Sequence, residues 1–320
     1  MAAPKRLTII FAFAAIYLIW GSTYLAILFA IQSIPPFLMA GARFFISGVI
    51  MYAIARLGGA PRPVPITWRS ALIIGGCLLL CGNGGVSLAE QWVPSGLASL
   101  LVATVPIYMA LLAWLWRLAP RPTPIVWLGL LGGFIGVGIL VGPALTNLSS
   151  ASSNHLALGM CILLFGSLIW SVGSLYSRTA VTSPSLIMAA GQQMICGGGL
   201  LFLAGLLVGE PARFDLFKVS SLSMWAFVYL VVIGALIGYT AYFWLLRHCD
   251  PAKVATYAYV NPVVAVLLGT LFAHEPLSLR TAFGAALIIG SVALVITAQQ
   301  LAPHKSTKTG SRAKPVDCAT

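Results

Sequence analysis

Residues 7–31 read LTIIFAFAAIYLIWGSTYLAILFAI, an apolar run that begins directly after Lys5 and Arg6. The run is longer than the roughly 7–15 apolar residues of a signal peptide, and it reaches the roughly 20 residues that a helix needs to cross a bilayer. It therefore predicts a retained transmembrane helix. Of the 320 residues, 60% are hydrophobic and only 8% are charged, whereas soluble domains carry about a quarter charged residues. This composition excludes an ordinary soluble globular protein.

Proline, glycine and polar clusters divide the uncharged windows into ten predicted helices. A membrane barrel of alternating strands is excluded because the apolar runs are continuous and too long for barrel strands. The predicted fold class is an all-α membrane protein with ten transmembrane helices. The expected spans are 8–32, 36–56, 70–90, 94–116, 124–142, 156–177, 184–208, 221–246, 251–272 and 279–301.

The basic residues indicate the orientation in the cytoplasmic (plasma) membrane, with both termini cytoplasmic. In that orientation the other side receives Arg213, Lys218 and Arg280, and Arg43 lies inside a span, as the positive-inside rule expects. The net charge of +12 then reflects topology and attraction to lipid headgroups, so no nucleic-acid partner is expected. The cytoplasmic side collects Lys5, Arg6, Arg56, Arg62, Arg69, Arg117, Arg121, Arg178, Arg247, Lys253, Lys305, Lys308, Arg312 and Lys314.

The two halves of the chain repeat each other. Residues 18–20 (LIW) recur as 168–170, and residues 39–40 (MA) recur as 188–189. Corresponding helices differ by five in order, an odd number, so the second half is predicted to be inverted relative to the first. Inverted repeats are typical of carriers, although channels also contain them. The predicted division is a first five-helix repeat over 1–145, a second, inverted repeat over 146–301, and a disordered basic cytoplasmic tail over 302–320.

Several short motifs stand out: WGSTY at 20–24, Arg43, GNG at 82–84, AEQ at 89–91 leading into PSGLA at 94–98, and YAYVNP at 257–262. Together they resemble the EamA-type exporters of the drug/metabolite transporter superfamily. The resemblance extends to about Ala298. It implies a ten-helix fold of two EamA-like repeats that exports small metabolites, amino acids or toxic compounds, with the fifth and tenth helices peripheral to the pathway.

Arg43 is the one charge well inside a predicted span, about 10 Å from its outer end. A buried arginine is costly unless it is paired or hydrated, so it should face the bundle interior. Two interpretations stay open: an anchor for a substrate carboxylate, or a structural arginine that satisfies helix-end carbonyls. Its counterpart in the second half is Gln192, which is uncharged.

A polar stripe on the third span contains Asn83, Ser87 and Glu90, which share one helix face. Asn83 suits either a hydrogen bond to substrate or a tie between helices. Glu90 lies near the outer headgroups, where it either pairs with Arg43 as an external gate or remains an exposed interfacial carboxylate.

Aromatic and polar residues of other spans complete the predicted binding site. Trp20 and Tyr24 share a face of the first helix, and Trp20 lies too deep for the interfacial belt, so it either packs in the core or lines a pocket. Trp170 marks the matching sixth helix, and the ninth helix offers Tyr257 and Asn261. An aromatic-lined cavity with one arginine suits amino acids or amphipathic metabolites.

Pro106 and Pro262 lie inside the fourth and ninth spans, at matching depths. A proline inside a helix removes one hydrogen bond and bends the axis, so both are predicted hinges of a bending carrier, although static bundles also contain such kinks. The glycine-rich fifth span is predicted to pack closely, either within the chain or in a homodimer. No nucleotide-binding loop occurs, and no cofactor or metal is expected.

A secondary carrier of small organic molecules that works by alternating access is therefore the predicted function. An enzyme is not expected, because the histidines lie in loops, at span ends or in the tail and form no catalytic cluster. A channel or facilitator, and a membrane receptor, are the alternatives. No acidic residue is predicted near the midplane, so facilitated diffusion, exchange and proton antiport all stay open.

Overall fold

The computed structural model describes residues 6–119, 121–146, 151–249, 254 and 256–301, and within these ranges the regular secondary structure is all helical, with no strand. Nine helices in this part of the chain are long and apolar enough to cross a membrane, and a tenth apolar helix is shorter. The prediction of an all-α membrane protein with about ten spans is thus confirmed. The predicted tail, 302–320, lies outside the described residues.

The helices are numbered α1–α10 in chain order. Most predicted boundaries agree within two residues, but α3 and α6 begin five residues earlier than the hydropathy indicated, α5 runs four residues further, and α9 is described as a helix only from Tyr257. The bounds are α1 Arg6–Ala30, α2 Pro36–Leu57, α3 Pro65–Ala89, α4 Ser95–Leu115, α5 Pro124–Thr146, α6 Ala151–Ser177, α7 Leu186–Leu207, α8 Ser221–His248, α9 Tyr257–Phe272 and α10 Leu279–Leu301.

The helix connections gather at two ends of the bundle. One end, here called the glutamate end, contains the α1–α2, α3–α4, α7–α8 and α9–α10 connections and carries Glu90, Glu210 and Glu275. The opposite end, called the arginine end, contains the α2–α3, α4–α5 and α6–α7 connections and carries Arg62, Arg117 and Arg178.

The most extensive helix pair is α2 with α7. Their backbones meet at glycines: a Cβ added to Gly48 would lie 3.0 Å from the carbonyl oxygen of Gly191, and one added to Gly198 would lie 3.0 Å from that of Gly41. Any side chain at these four positions would force the helices apart. The two contacts are reciprocal: Gly41, the earlier glycine of α2, meets Gly198, the later glycine of α7, and Gly48 of α2 meets Gly191 of α7.

The glycine face of α5 packs within the chain, against α10 and α4. Added Cβ atoms on Gly129 and Gly136 would meet Val295 and Ile288 of α10 at 2.7 and 2.8 Å. Gly138 and Gly142, further along α5, have nothing within 4 Å. A homodimer through glycine-rich helix faces remains a prediction.

Three helices depart from regular α geometry. Wide π-helical turns occupy Gly76–Gly84 in α3 and Leu230–Ile237 in α8, and π turns occur frequently at functional sites. α4 is interrupted at residues 103–104, directly before the second piece that contains Pro106. Pro262, by contrast, lies inside the continuous helix α9. The two predicted hinges therefore lie in different local structures, and only α4 is broken next to its proline.

Candidate functional site

Trp20 stands at the centre of an aromatic cluster built by three helices. Its ring centroid lies 5.3 Å from that of Tyr239 and 5.1 Å from that of Tyr242, both on α8, and 5.0 Å from that of Tyr257 on α9. The indole reaches α8 because residue 238 is glycine: an added Cβ there would lie 2.6 Å from Nε1 of Trp20. We call Trp20, Tyr239, Tyr242 and Tyr257 the Trp20 cluster.

Hydrogen bonds next to the Trp20 cluster tie α1 to α9. The hydroxyls of Tyr17 and Thr256 lie 2.5 Å apart. With its amide nitrogen directed inward, Asn261 donates to the carbonyl oxygens of Tyr257 and Tyr17, both at 3.2 Å. Asn261 is 7% exposed, so these bonds make it a tie between the two helices.

Arg43 lies on α2 with its guanidinium against α8, where an added Cβ on Gly234 would lie 3.3 Å from Nη2. The side chain is 4% exposed, and its Nε has no hydrogen-bond partner. Its Cζ lies 4.7 Å from the ring centroid of Phe44, a cation–π contact. Tyr229 and Tyr239 are within electrostatic range of the guanidinium. Arg43 is thus a buried cation next to the Trp20 cluster.

Glu90 follows the last residue of α3 and is 3% exposed, with no hydrogen-bond partner for either carboxylate oxygen. Arg43, Tyr24 and Glu275 interact with it electrostatically. However, the one ion pair within 4.0 Å among the described residues joins Lys218 to Asp215. The predicted ion pair of Arg43 with Glu90 is therefore not formed in this conformation, and Nε of Arg43 and both carboxylate oxygens of Glu90 have no hydrogen-bond partner in the described structure.

Asn83 lies in the π-helical part of α3 and is half-buried. Its side-chain nitrogen donates to the carbonyl oxygen of Leu78, at the long distance of 3.5 Å. Ser87, one turn further along the stripe, is buried. This weak bond within its own helix leaves the amide of Asn83 with capacity for a further partner.

The corresponding residues of the second half have different surroundings. The amide nitrogen of Gln192, itself 1% exposed, donates to Oγ1 of Thr67 at 3.1 Å. Trp170 packs on Gly82, where an added Cβ would lie 2.5 Å from Cε3 of the indole. Gln192 joins α7 to α3 at the arginine end, so the structure does not bring it to Arg43.

Three tyrosines of this region were not predicted from the sequence: Tyr239 and Tyr242 of the Trp20 cluster, and Tyr229 near Arg43. Tyr239 and Tyr242 are three positions apart, so they share a helix face. That spacing is a usable signal, but in an apolar helix it does not distinguish a pocket from ordinary core packing.

An apolar groove lies elsewhere in the bundle. It has a volume of about 430 Å³ between α2, α3, α6 and α7, and its lining includes Phe37, Leu80, Ile162 and the 59%-exposed Phe165. The lining is apolar and includes no member of the Trp20 cluster, nor Arg43 or Glu90. We therefore assign the site to the buried charges rather than to this groove.

These observations define a class: a multi-pass helical membrane protein with a buried polar and aromatic site between its helices. The model of the EamA-like transporter family matches residues 7–142 and 157–297. The uncharacterized inner membrane transporter YedA of Escherichia coli strain K12 is 38% identical over 296 residues, covering 92% of each chain. The uncharacterized transporter YvbV of Bacillus subtilis strain 168 is 25% identical over 296 residues, covering 92% of this chain and 93% of the relative.

The chain belongs to the EamA-like transporter family, as the motif resemblance implied. A solved crystal structure agrees in fold, with a TM-score of 0.61 at 22% sequence identity, over 91% of this chain and 98% of the other. That likeness concerns the fold alone.

Proposed function

We propose that the protein is a secondary carrier of the cytoplasmic membrane that exports small zwitterionic solutes, above all amino acids with large apolar side chains, by alternating access. The observation that carries the proposal is the state of Arg43 and Glu90. Both are buried, both have side-chain polar atoms without partners, and they are not paired with each other.

Unpaired buried charges destabilise a protein by several kcal/mol, so a missing partner of opposite charge is the simplest reason to retain them. A zwitterion supplies both partners at once. Its carboxylate would pair with the guanidinium of Arg43, and its ammonium group with the carboxylate of Glu90. The Trp20 cluster, adjoining Arg43 through Tyr239, would accept an apolar or aromatic side chain.

The orientation and the transport mechanism rest on separate support. The predicted excess of basic residues favours a cytoplasmic arginine end, and the name of the Escherichia coli relative favours the inner membrane. The reciprocal glycine contacts of α2 with α7, and the two separate family matches, are what two inverted repeats would produce. Inverted repeats allow one chain to open towards either side in turn.

Counterflow in proteoliposomes tests this function. The purified chain is reconstituted with unlabelled phenylalanine inside, and the uptake of three labelled compounds is compared: phenylalanine, 3-phenylpropionate without the amine, and phenethylamine without the carboxylate. We expect saturable exchange of phenylalanine and little of the other two. Arg62→Gln, which removes an exposed charge at the arginine end, serves as the control variant and should exchange normally.

Two results would contradict the proposal. One is the absence of exchange for phenylalanine, tryptophan and leucine by protein that remains folded. The other is equal exchange of all three phenyl compounds, which would show that neither charge is recognised. A steady ionic conductance without saturation would instead indicate a channel.

A further inference from the structure

Glu210, in the α7–α8 connection, caps the start of α2. The backbone N–H groups of Phe37 and Leu38 donate to Oε1 and Oε2 of Glu210 at 3.0 and 2.7 Å. α2 has no cap of its own, because the residue before its first turn is Pro35, which offers no side-chain acceptor. The carboxylate is 6% exposed. A residue of the second half thus satisfies the first free N–H groups of a helix in the first half.

Glu275, in the α9–α10 connection, caps α4 in the same way. The N–H groups of Ser95 and Gly96 donate to its Oε1 and Oε2 at 2.6 and 2.9 Å. Pro94 precedes this helix, and again no side chain of α4 caps it. Both bonds of each carboxylate are charge-assisted, and each anion lies at the positive end of a helix dipole.

The same backbone turn occurs at both ends of the bundle, but carboxylates follow it only at the glutamate end. Among the described residues, a positive φ occurs at Gly209 and His274, directly before Glu210 and Glu275, and at Gly59 and Arg117 of the arginine end. Ala60 and Leu118 follow the latter two.

The start of α7, which the repeat pairs with α2, is capped differently. Ser185 accepts from the N–H of Met188, so α7 is capped by its own half of the chain. Among the helix starts that the structure describes, a carboxylate from the other half caps a helix only at the glutamate end.

Glycines in α7 and α9 leave the space that these carboxylates occupy. An added Cβ on Gly205 would lie 3.1 Å from Oε2 of Glu210. One on Gly269 would lie 2.5 Å from Oε2 of Glu275. A methyl group at residue 269 would thus displace the carboxylate of Glu275 while the charge itself stayed in the chain.

We infer that Glu210 and Glu275 form a latch that holds the glutamate end closed, and that the carrier must release it to open on that side. The inference rests on the proposed alternating access. The halves cannot separate at this end while each glutamate bridges them, whereas the described residues of the arginine end, which exclude 250–253 and 255, contain no comparable carboxylate bridge. Glu210 and Glu275 are positioning residues: they set which side is open and do not contact the substrate.

Distances between spin labels test the latch directly. All six cysteines are first replaced, and nitroxides are attached in pairs to the protein in lipid nanodiscs. One pair, at Gln91 and Leu222, spans the two halves at the glutamate end, and the other, at Leu57 and Thr179, spans them at the arginine end; all four positions are exposed. Electron–electron double resonance then gives the distance distribution at each end.

In the double variant Glu210→Ala and Glu275→Ala we expect a new, longer-distance population at the glutamate end and a shorter one at the arginine end. Loss of several charge-assisted bonds should change the ratio of the two populations by about tenfold or more. Asp215→Ala is the matched control, because this exposed carboxylate at the same end caps only its own turn and should leave both distributions unchanged.

Gly269→Ala is a second variant that should weaken the latch, by displacing the carboxylate of Glu275, without removing any charge. It should open the glutamate end in the same direction, by a smaller fraction. Unchanged distances in both the double variant and Gly269→Ala, in protein that remains monodisperse, would overturn the latch. Distances that shift in a protein without amino acid exchange would support the latch and contradict only the proposed substrate.

Discussion

Arg43 and Gln192 occupy corresponding places in the two halves, yet their surroundings differ. Gln192 is buried and satisfied, with its amide nitrogen bonded to Thr67. Arg43 is buried and incompletely satisfied, with an Nε that bonds to nothing in the described structure. The comparison teaches that two residues paired by the sequence repeat can have different surroundings: Gln192 joins two helices, whereas Arg43 keeps an unpaired Nε, and under the proposed function its charge is kept for the substrate carboxylate.

The two tryptophans differ in a related way. Trp170 and Trp20 each pack on a glycine, Gly82 and Gly238 respectively, so each tryptophan makes a close contact with a helix of the other half. Trp20 in addition contacts three tyrosine rings of α8 and α9. The packing is repeated, but the aromatic cluster next to Arg43 is built around the first tryptophan.

The largest expected effect comes from Arg43→Gln, which makes the first half resemble the second. Loss of a charge-assisted contact to the substrate carboxylate should weaken amino acid binding about a hundredfold. The melting temperature should hold or rise, because an uncompensated buried charge is removed. Counterflow titration and thermal unfolding measure the two quantities. A large fall in melting temperature with unchanged affinity would identify Arg43 as structural.

A smaller effect is expected for Glu90→Gln. Binding of phenylalanine should weaken about tenfold, because the ammonium group loses its charged partner. Binding of 3-phenylpropionate, which has no amine, should not weaken. Competition assays with both compounds measure this difference in selectivity, and an equal loss for both would exclude recognition of the amine by Glu90.

Substitutions of Gly238 and Gly82, which contact the two tryptophans, distinguish an effect on helix packing from an effect on substrate binding. Gly238→Ala and Gly82→Ala each crowd an indole, and each should destabilise the fold by about 1–3 kcal/mol. Only Gly238→Ala should also lower affinity for phenylalanine, by roughly fivefold, because it displaces Trp20. Thermal unfolding and equilibrium binding of both variants check this. A similar loss of affinity in Gly82→Ala would place Trp170 in the site as well.

Gln192→Ala should have the smallest effect. It removes one hydrogen bond, worth about 1 kcal/mol, and Thr67 keeps its bond to the carbonyl oxygen of Val64 at 2.8 Å. Amino acid affinity should remain unchanged within error in the counterflow assay. Loss of exchange in a folded Gln192→Ala protein would show that the second half also binds substrate.

Hydropathy and charge spacing were sufficient to predict the helices, because lipid requires long apolar runs with every backbone bond made internally. The single buried Arg43 was also identifiable, since a lone charge within a span is rare. The start of α3 at Pro65 was missed because Thr67, Arg69 and Ser70 reduce the local hydropathy. Pro65 nevertheless lies in the first turn of its helix, as Pro36 does in α2, and this is where proline is most common in helices.

Other parts of the site depend on tertiary contacts that no single segment encodes. The tyrosines of α8 approach Trp20 only because α1, α8 and α9 pack together. Glu210 and Glu275 looked like ordinary loop acids, since their partners are backbone N–H groups more than 170 positions away in the chain. The π-helical turns likewise have no reliable local signature in an apolar helix.

Those wide turns have a mechanical consequence. A π turn holds about one residue more than an α turn, so its relaxation would rotate the rest of the helix by about 100° about its axis. In α3 and α8 this rotation would redirect Asn83 or Tyr239 without breaking either helix in two. Relaxation of the π turn in the middle of either helix would therefore rotate every residue between that turn and the end of the helix.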